Sequence, residues 1–228
     1  MRWRRVTALH CVSSLRFVAV RAHCCTSRHV LTSSCLPESY FDPTTSAFDR
    51  NLTHSYPEWH PDFKYHGHNP YALLIAAFGS VVTGEGVVPT FEWVMIQFYE
   101  SWAHMNYNVT ARVPRQSPAE YLAAWVPQLL EGWSVDFSSD PAVALPTQRV
   151  ALLPSQILLG VRNGWSDGAG GAKSLLVMPD DCGAAWRALP NMTRGFGWWV
   201  ISEEGDVPEG QIEPLYMAPA LNEFLRTR

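Results

Sequence analysis

The stretch FEWVMIQFYESW, residues 91–102, sets an amide and a phenol at the end of an otherwise apolar run. Read as a strand, it alternates its side chains between two faces. Trp93, Met95, Gln97 and Tyr99 share one face, and Val94, Ile96 and Phe98 share the other. The last two same-side positions therefore carry two hydrogen-bonding groups. One explanation is ordinary: a buried amide bonded to backbone beside a strand aromatic. Further along, GFGWWVIS (195–202) puts Gly195, Gly197, Trp199 and Ile201 on one side, so two glycines leave room beside a large indole. The chain holds ten tryptophans, and flat indole rings fill cores or stack on the apolar faces of pyranose rings.

These residues need elements to position them. The chain has 228 residues, 47% of them hydrophobic, enough for one sizeable core and one or two domains. A net charge of −4 gives no basis for nucleic-acid binding, and no run approaches the ~18 apolar residues of a membrane span. Residues 1–37 differ in kind, with six arginines, several serines, Cys11, Cys24, Cys25 and Cys35, and no acid. They read as an organelle transit segment or as a misread start, not as a secretory signal. Cys182 is the only other cysteine, so no disulfide framework is implied. Residues 38–70 show no period and read as loop. His54, His60, His66 and His68 fall there, and no Cys or carboxylate arrangement beside His66-x-His68 suits a metal. Asn51, Asn108 and Asn191 open sequons that a secreted chain would use as a glycoprotein.

Residues 71–228 form the patterned region. YALLIAAF (71–78) reads as a buried strand, 79–90 as loop and 92–99 as a second strand. PAEYLAAWVPQLLE (118–131) reads as a helix with Ser117 as N-cap, Glu120 completing a capping box and Pro127 as a kink. QILLGVR (156–162) is a third strand, DDCGAAWRAL (180–189) a helix, 195–202 a fourth strand and 218–226 a closing helix. The glycines after the third strand lack the spacing of a phosphate cradle. Alternating elements predict an α/β fold with parallel strands. Four strands amount to half of an eight-stranded barrel.

FEWVMIQFYESW resembles the sixth barrel strand of family 18 glycoside hydrolases, the chitinases, where Gln-x-Tyr closes the strand; Gln97-Phe98-Tyr99 matches it. GFGWWVIS resembles the eighth strand through Gly195, Trp199, Ile201 and Ser202. QILLGV takes the place of the seventh and YALLIAAF that of the fifth. The resemblance covers roughly residues 71–205 and implies a partial (β/α)8 TIM barrel, strands 5 to 8, behind an irregular N-terminal extension. It implies sites at the C-terminal strand ends. In that family the substrate's own 2-acetamido oxygen attacks the anomeric carbon. Tyr99 would hydrogen-bond and place the acetamido group, Gln97 would be a second polar contact, Met95 would line the same pocket, and Trp199 would lie under the sugar. The partner implied is an N-acetylglucosamine polysaccharide, with no cofactor or metal, and the location implied is extracellular.

The sequence departs from the family where the acid chemistry resides. No Asp-x-x-Asp-x-Asp-x-Glu run occurs, so no catalytic general acid is identified. Asp42 and Asp49 lack a partner Glu, Asp206-Val-Pro-Glu209 has the wrong form, and Glu100, Glu203 and Glu204 read as solvated carboxylates near strand ends. Val200 stands where relatives often carry an acid, and the fifth-strand segment lacks Ala-Pro-Glu. Hydrolysis is therefore expected to be impaired, and the chain reads as a truncated chitinase-like protein. Two alternatives stand beside it: a non-catalytic chitin-binding protein using Trp199, Tyr99 and Trp165, and an α/β fragment without a sugar role. Half a barrel would also expose two sheet edges, which favours self-association.

Overall fold

The computed structural model describes residues 32–50, 68–83, 86–100, 103–164, 174–189, 193–199 and 201–226. Its centre is a four-stranded parallel sheet made of β1 (Thr32–Pro37), β4 (Phe91–Gln97), β7 (Ile157–Arg162) and β8 (Gly195–Trp199), side by side in chain order. Two small antiparallel hairpins flank it: β2 (Ser80–Thr83) with β3 (Gly86–Pro89), and β5 (Trp133–Val135) with β6 (Gln148–Val150). Five helices complete the architecture: α1 (Pro70–Phe78), α2 (His104–Thr110), α3 (Pro118–Glu131), α4 (Pro179–Ala188) and α5 (Met217–Leu225). The fold is mixed α/β, and among the described residues no helix is long and apolar enough to cross a membrane.

Three of the four expected strands are present, and the first is corrected. YALLIAAF is α1, not a strand. Its punctuation is helical: Pro70 occupies the first turn, where its missing N–H costs nothing, and Gly79 follows the end. Three alanines and a single β-branched residue, Ile75, also favour helix. The sheet position belongs instead to β1, the last six residues of the arginine-rich start, which pairs in parallel with β4 from Ser33↔Trp93 to Pro37↔Gln97. The expected loop at 79–90 contains the β2–β3 hairpin. The fourth strand stops at Trp199; Ile201–Glu203 make a short 3₁₀ turn.

One face of the sheet is the core. Leu36, Val94, Ile96, Ile157, Leu159 and Val161 are buried there. Phe98 meets Trp125 of α3 edge-on at 5.1 Å, and Phe196 meets Trp186 of α4 at 6.0 Å and Phe224 of α5 at 5.9 Å, so the helices cover this face. The α3 start is the capping box read from the sequence: Glu120 N–H donates to Ser117 Oγ at 3.2 Å, and Ser117 N–H donates to Glu120 Oε2 at 2.7 Å. Pro127 lies inside α3, which continues to Glu131. Gln156 fastens β7 to the start of β4 by donating to the Phe91 carbonyl at 2.7 Å.

Candidate functional site

The other face of the sheet carries the residues of interest. Register places Pro37, Gln97, Gly160 and Gly197 in one row across the four strands. Cys35, Met95, Leu158 and Gly195 make the row below it. Arg162 pairs with Trp199 in the row above. Two residues beyond Gln97, Tyr99 stands at that upper level, because the ladder continues with Phe98 N–H donating to the Gly160 carbonyl at 3.0 Å. In a parallel sheet neighbouring strands lie about 4.8 Å apart, so Tyr99 and Trp199 flank Arg162 with about 10 Å between their strands.

Each of the four sequence-predicted site residues lies on this face. Gln97 and Tyr99 are buried, at 4% and 2% exposure, and the Gln97 amide donates to the Tyr99 hydroxyl at 3.0 Å. The burial does not come from the helix layer, which takes Val94, Ile96 and Phe98. Trp199 is half-buried at the end of β8. Met95 is half-buried and lies across β7 towards β8: a side chain built on Gly160 would meet its Cγ at 3.0 Å, and one on Gly197 its Sδ at 2.7 Å. At Gly197 this corrects the expectation that glycine leaves room beside the indole. The thioether fills that room and forms a floor under the Tyr99–Arg162–Trp199 row. Trp165, His54, His60, His66, Asn51 and Asn191 lie outside the described residues.

The carboxylates near the strand ends are less solvated than expected. Glu204 is half-buried; it accepts from the Ala218 N–H at 2.7 Å, at the start of α5, and from the Asn163 amide at 3.4 Å. Glu203 is half-buried too, its carboxylate lies against Gly164, and its Oε2 is enclosed without a donor. Arg162, absent from the sequence-derived set, is 9% exposed; its Nη1 donates to the Ser174 carbonyl while its Nε has no partner. Burial pulls the guanidinium below its usual pKa, and the charges of Glu203 and Glu209 oppose that shift. The signal available in the sequence was parity: Arg162 shares the face of Gly160 and ends an apolar strand.

A second polar cluster sits at the end of β1 against the helix layer. Glu38 is fully buried. Its Oε2 accepts from the His104 N–H at 2.7 Å and the Met105 N–H at 3.4 Å, and its Oε1 accepts from the Tyr121 hydroxyl. Ala103 precedes α2 and offers no side-chain cap, so a carboxylate far away in sequence satisfies the helix's first N–H groups. His104 Nδ1 lies 3.4 Å from Asp42 and 3.7 Å from Glu38. Burial outweighs these partners and raises the Glu38 pKa, and burial together with Glu38 raises that of Tyr121 well above its ordinary value. Among the described residues no group of three or more His, Cys, Asp or Glu is placed to hold a metal ion. Cys182 is buried in α4, and desolvation pushes its thiol pKa up, which keeps the sulfur protonated.

The strand-end face thus gathers a buried amide, a buried phenol, a buried guanidinium and a half-buried indole over a thioether floor. Hydrogen-bonding groups therefore lie beside a flat apolar ring at the strand ends. Compared with protein-family models, with curated proteins and with solved structures, the chain matches none.

Proposed function

We propose that this chain is a chitinase-like, partial (β/α)8 barrel of the family 18 glycoside hydrolase type, and that it binds N-acetylglucosamine polymers at the C-terminal ends of its four parallel strands with negligible hydrolysis. The observation that carries this reading is the shared face of Gln97, Tyr99 and Trp199, opposite the helix layer, with the amide bonded to the phenol at 3.0 Å. Chain-order neighbours, all parallel, are what consecutive strands of such a barrel require. The corrected first strand adds support: β1 ends in Leu36-Pro37 and Glu38 follows it, a Pro-Glu at the strand end where the resemblance calls for Ala-Pro-Glu.

The Gln97–Tyr99 bond fixes the orientation of the phenol, and placement of this kind is what an acetamido contact requires. Trp199 supplies the apolar face. Proton donation is the missing function. Glu38 is committed to α2 and Tyr121 on the other side of the sheet, and Glu204 to α5. A positioned general acid contributes about 10² to 10⁴ in rate, and its loss is the reason for negligible turnover.

The test is calorimetric titration of the 228-residue chain with chitotetraose, alongside retention on chitin beads. Binding is expected for the wild type and loss of binding for Trp199→Ala. A wild type that neither retains on chitin nor titrates with the oligomer refutes the proposal. A chromogenic chitobioside assay is expected to stay at background.

A further inference from the structure

We propose that Arg162 and Glu203 form a hydroxyl-reading pair within this site, recognising one ring hydroxyl of an N-acetylated pyranose held between Tyr99 and Trp199; the inference rests on the sugar-site reading above.

Two unpaired polar atoms lie near the ends of β7 and β8, and the Glu203 charge acts on the Arg162 guanidinium. The Arg162 Nε–H is a buried donor with no acceptor, and the Glu203 Oε2 is an enclosed acceptor with no donor. Neither satisfies the other. Buried polar groups are nearly always paired, and a buried charged group with an unmet edge carries a desolvation cost. Both are nevertheless held in place. Arg162 is anchored by its Nη1 bond to the Ser174 carbonyl, which leaves Nε as the free edge of the guanidinium. Glu203 is carried over the end of β7 by the turn Ile201–Glu203 and rests against Gly164, where any larger residue would collide with it. The backbone there is tied to β8 by the Asn163 N–H donating to the Trp199 carbonyl at 3.1 Å.

One donor and one acceptor, separately unfilled near the same strand ends, match a group that accepts and donates at once. A hydroxyl does both; an acetamido oxygen only accepts, and an ammonium only donates. Both bonds would be charge-assisted, roughly twice the strength of neutral ones. The position fits as well. Arg162 stands in the row between Tyr99 and Trp199, so a ring stacked on Trp199 turns an edge hydroxyl towards it. The pair therefore sets which hydroxyl pattern is accepted, while Gln97 and Tyr99 engage the other edge.

The experiment is a ligand–protein double-mutant cycle by calorimetry. Chitotriose and its set of monodeoxy analogues are titrated into the wild-type chain, Arg162→Met, Glu203→Ala and Trp199→Ala. The expected result is at least a tenfold loss for one particular monodeoxy analogue on the wild type, and no further loss for that analogue on Glu203→Ala. Arg162→Met is expected to weaken chitotriose by a similar factor. If Arg162→Met does not fold, the Glu203→Ala half of the cycle decides alone, since Glu203 lies in a turn outside the sheet. If the wild type binds and Trp199→Ala abolishes binding, yet every monodeoxy analogue loses equally on wild type and Glu203→Ala, this inference fails and the sugar site stands. If the wild type binds no chitotriose, the sugar site fails and this inference with it.

Discussion

Met95 reaches across one strand to fill space over two glycines, and those glycines should respond differently to a methyl group. A Cβ at Gly197 would sit 2.7 Å from Met95 Sδ and 3.8 Å from Met95 Cγ, and among the described residues beyond its chain neighbours nothing else lies within 4 Å. Comfortable carbon contacts begin near ~3.5 Å, so the sulfur must withdraw by about 1 Å. Methionine has three rotatable bonds, and an off-rotamer torsion costs about 0.5–1.5 kcal/mol. Gly→Ala also restricts the unfolded chain, which returns about 0.4–1 kcal/mol. Gly197→Ala is therefore expected to destabilise by less than about 1 kcal/mol. At Gly160 the Cβ would sit 2.8 Å from the Ile96 carbonyl oxygen, a main-chain atom of the neighbouring strand, and 3.0 Å from Met95 Cγ. That oxygen cannot retreat without opening the β4–β7 ladder, so Gly160→Ala is expected to cost about 1–3 kcal/mol. Met95→Ala should relieve the Gly197→Ala strain and leave most of the Gly160→Ala cost in place. Urea unfolding of the three single and two double variants, with unchanged m, measures all of this. Equal costs at the two glycines, or strict additivity of Met95→Ala with Gly197→Ala, would refute the placement of the thioether as the floor of the site.

Three further outcomes follow from the same geometry. Tyr99→Phe leaves the buried Gln97 amide without that acceptor and should cost about 1–3 kcal/mol, whereas adding Gln97→Leu should recover part of it; additive losses in denaturant titrations would show that the bond is not made. Glu38 has a folded pKa raised by burial, so the folded state holds its proton more tightly than the unfolded chain; between the ordinary glutamate pKa and the raised one, stability falls as pH rises. Wild type should accordingly lose stability relative to Glu38→Gln across that window, by no more than about 1.4 kcal/mol per pH unit, and a pH-independent difference would count against the buried carboxylate. The outer edges of β1 and β8 end the sheet among the described residues, and Trp93, Met95 and Leu158 are only half-buried on the inner face, so the chain should self-associate; light scattering at rising concentration should show it, Trp93→Lys should suppress it, and a monomeric mass throughout would exclude it.

What the sequence disclosed depended on how many large apolar residues each element carries. β4 and β7 were legible because Val94, Ile96, Ile157, Leu159 and Val161 form dense runs against the helices. β1 was not, because TSSCLP brings one large residue, Leu36, to the core, and its serines and cysteine blend into the arginine-rich residues before it. α1 was misread as a strand because eight apolar residues in a row carry no period of either kind; Pro70, Gly79 and the alanines were the better guide. The Gln97–Tyr99 partnership was visible as a two-residue spacing on one strand. Arg162 was visible by the same parity, but a charge at a strand end reads as solvated. The Glu203–Gly164 and Met95–Gly197 contacts were not visible, because each joins segments that only the folded sheet brings together.

The site was nevertheless better encoded than the strand list, and the parallel sheet explains why. All four strands deliver their C-terminal ends to the same edge, so whatever follows Gln97, Arg162 and Trp199 gathers there whichever strand stands first. Misassigning β1 moved no residue of the site. A slip of one residue would be far worse, because it would turn Gln97, Tyr99 and Arg162 into the helix layer and bring Ile96, Phe98 and Val161 out. The register of β4 and β7 is held against that slip by the packing of Phe98 on Trp125 and by complete burial of Ile96, Leu159 and Val161. The polar face is thus positioned by apolar residues that never touch it, and its chemistry depends on the helix-facing row remaining buried.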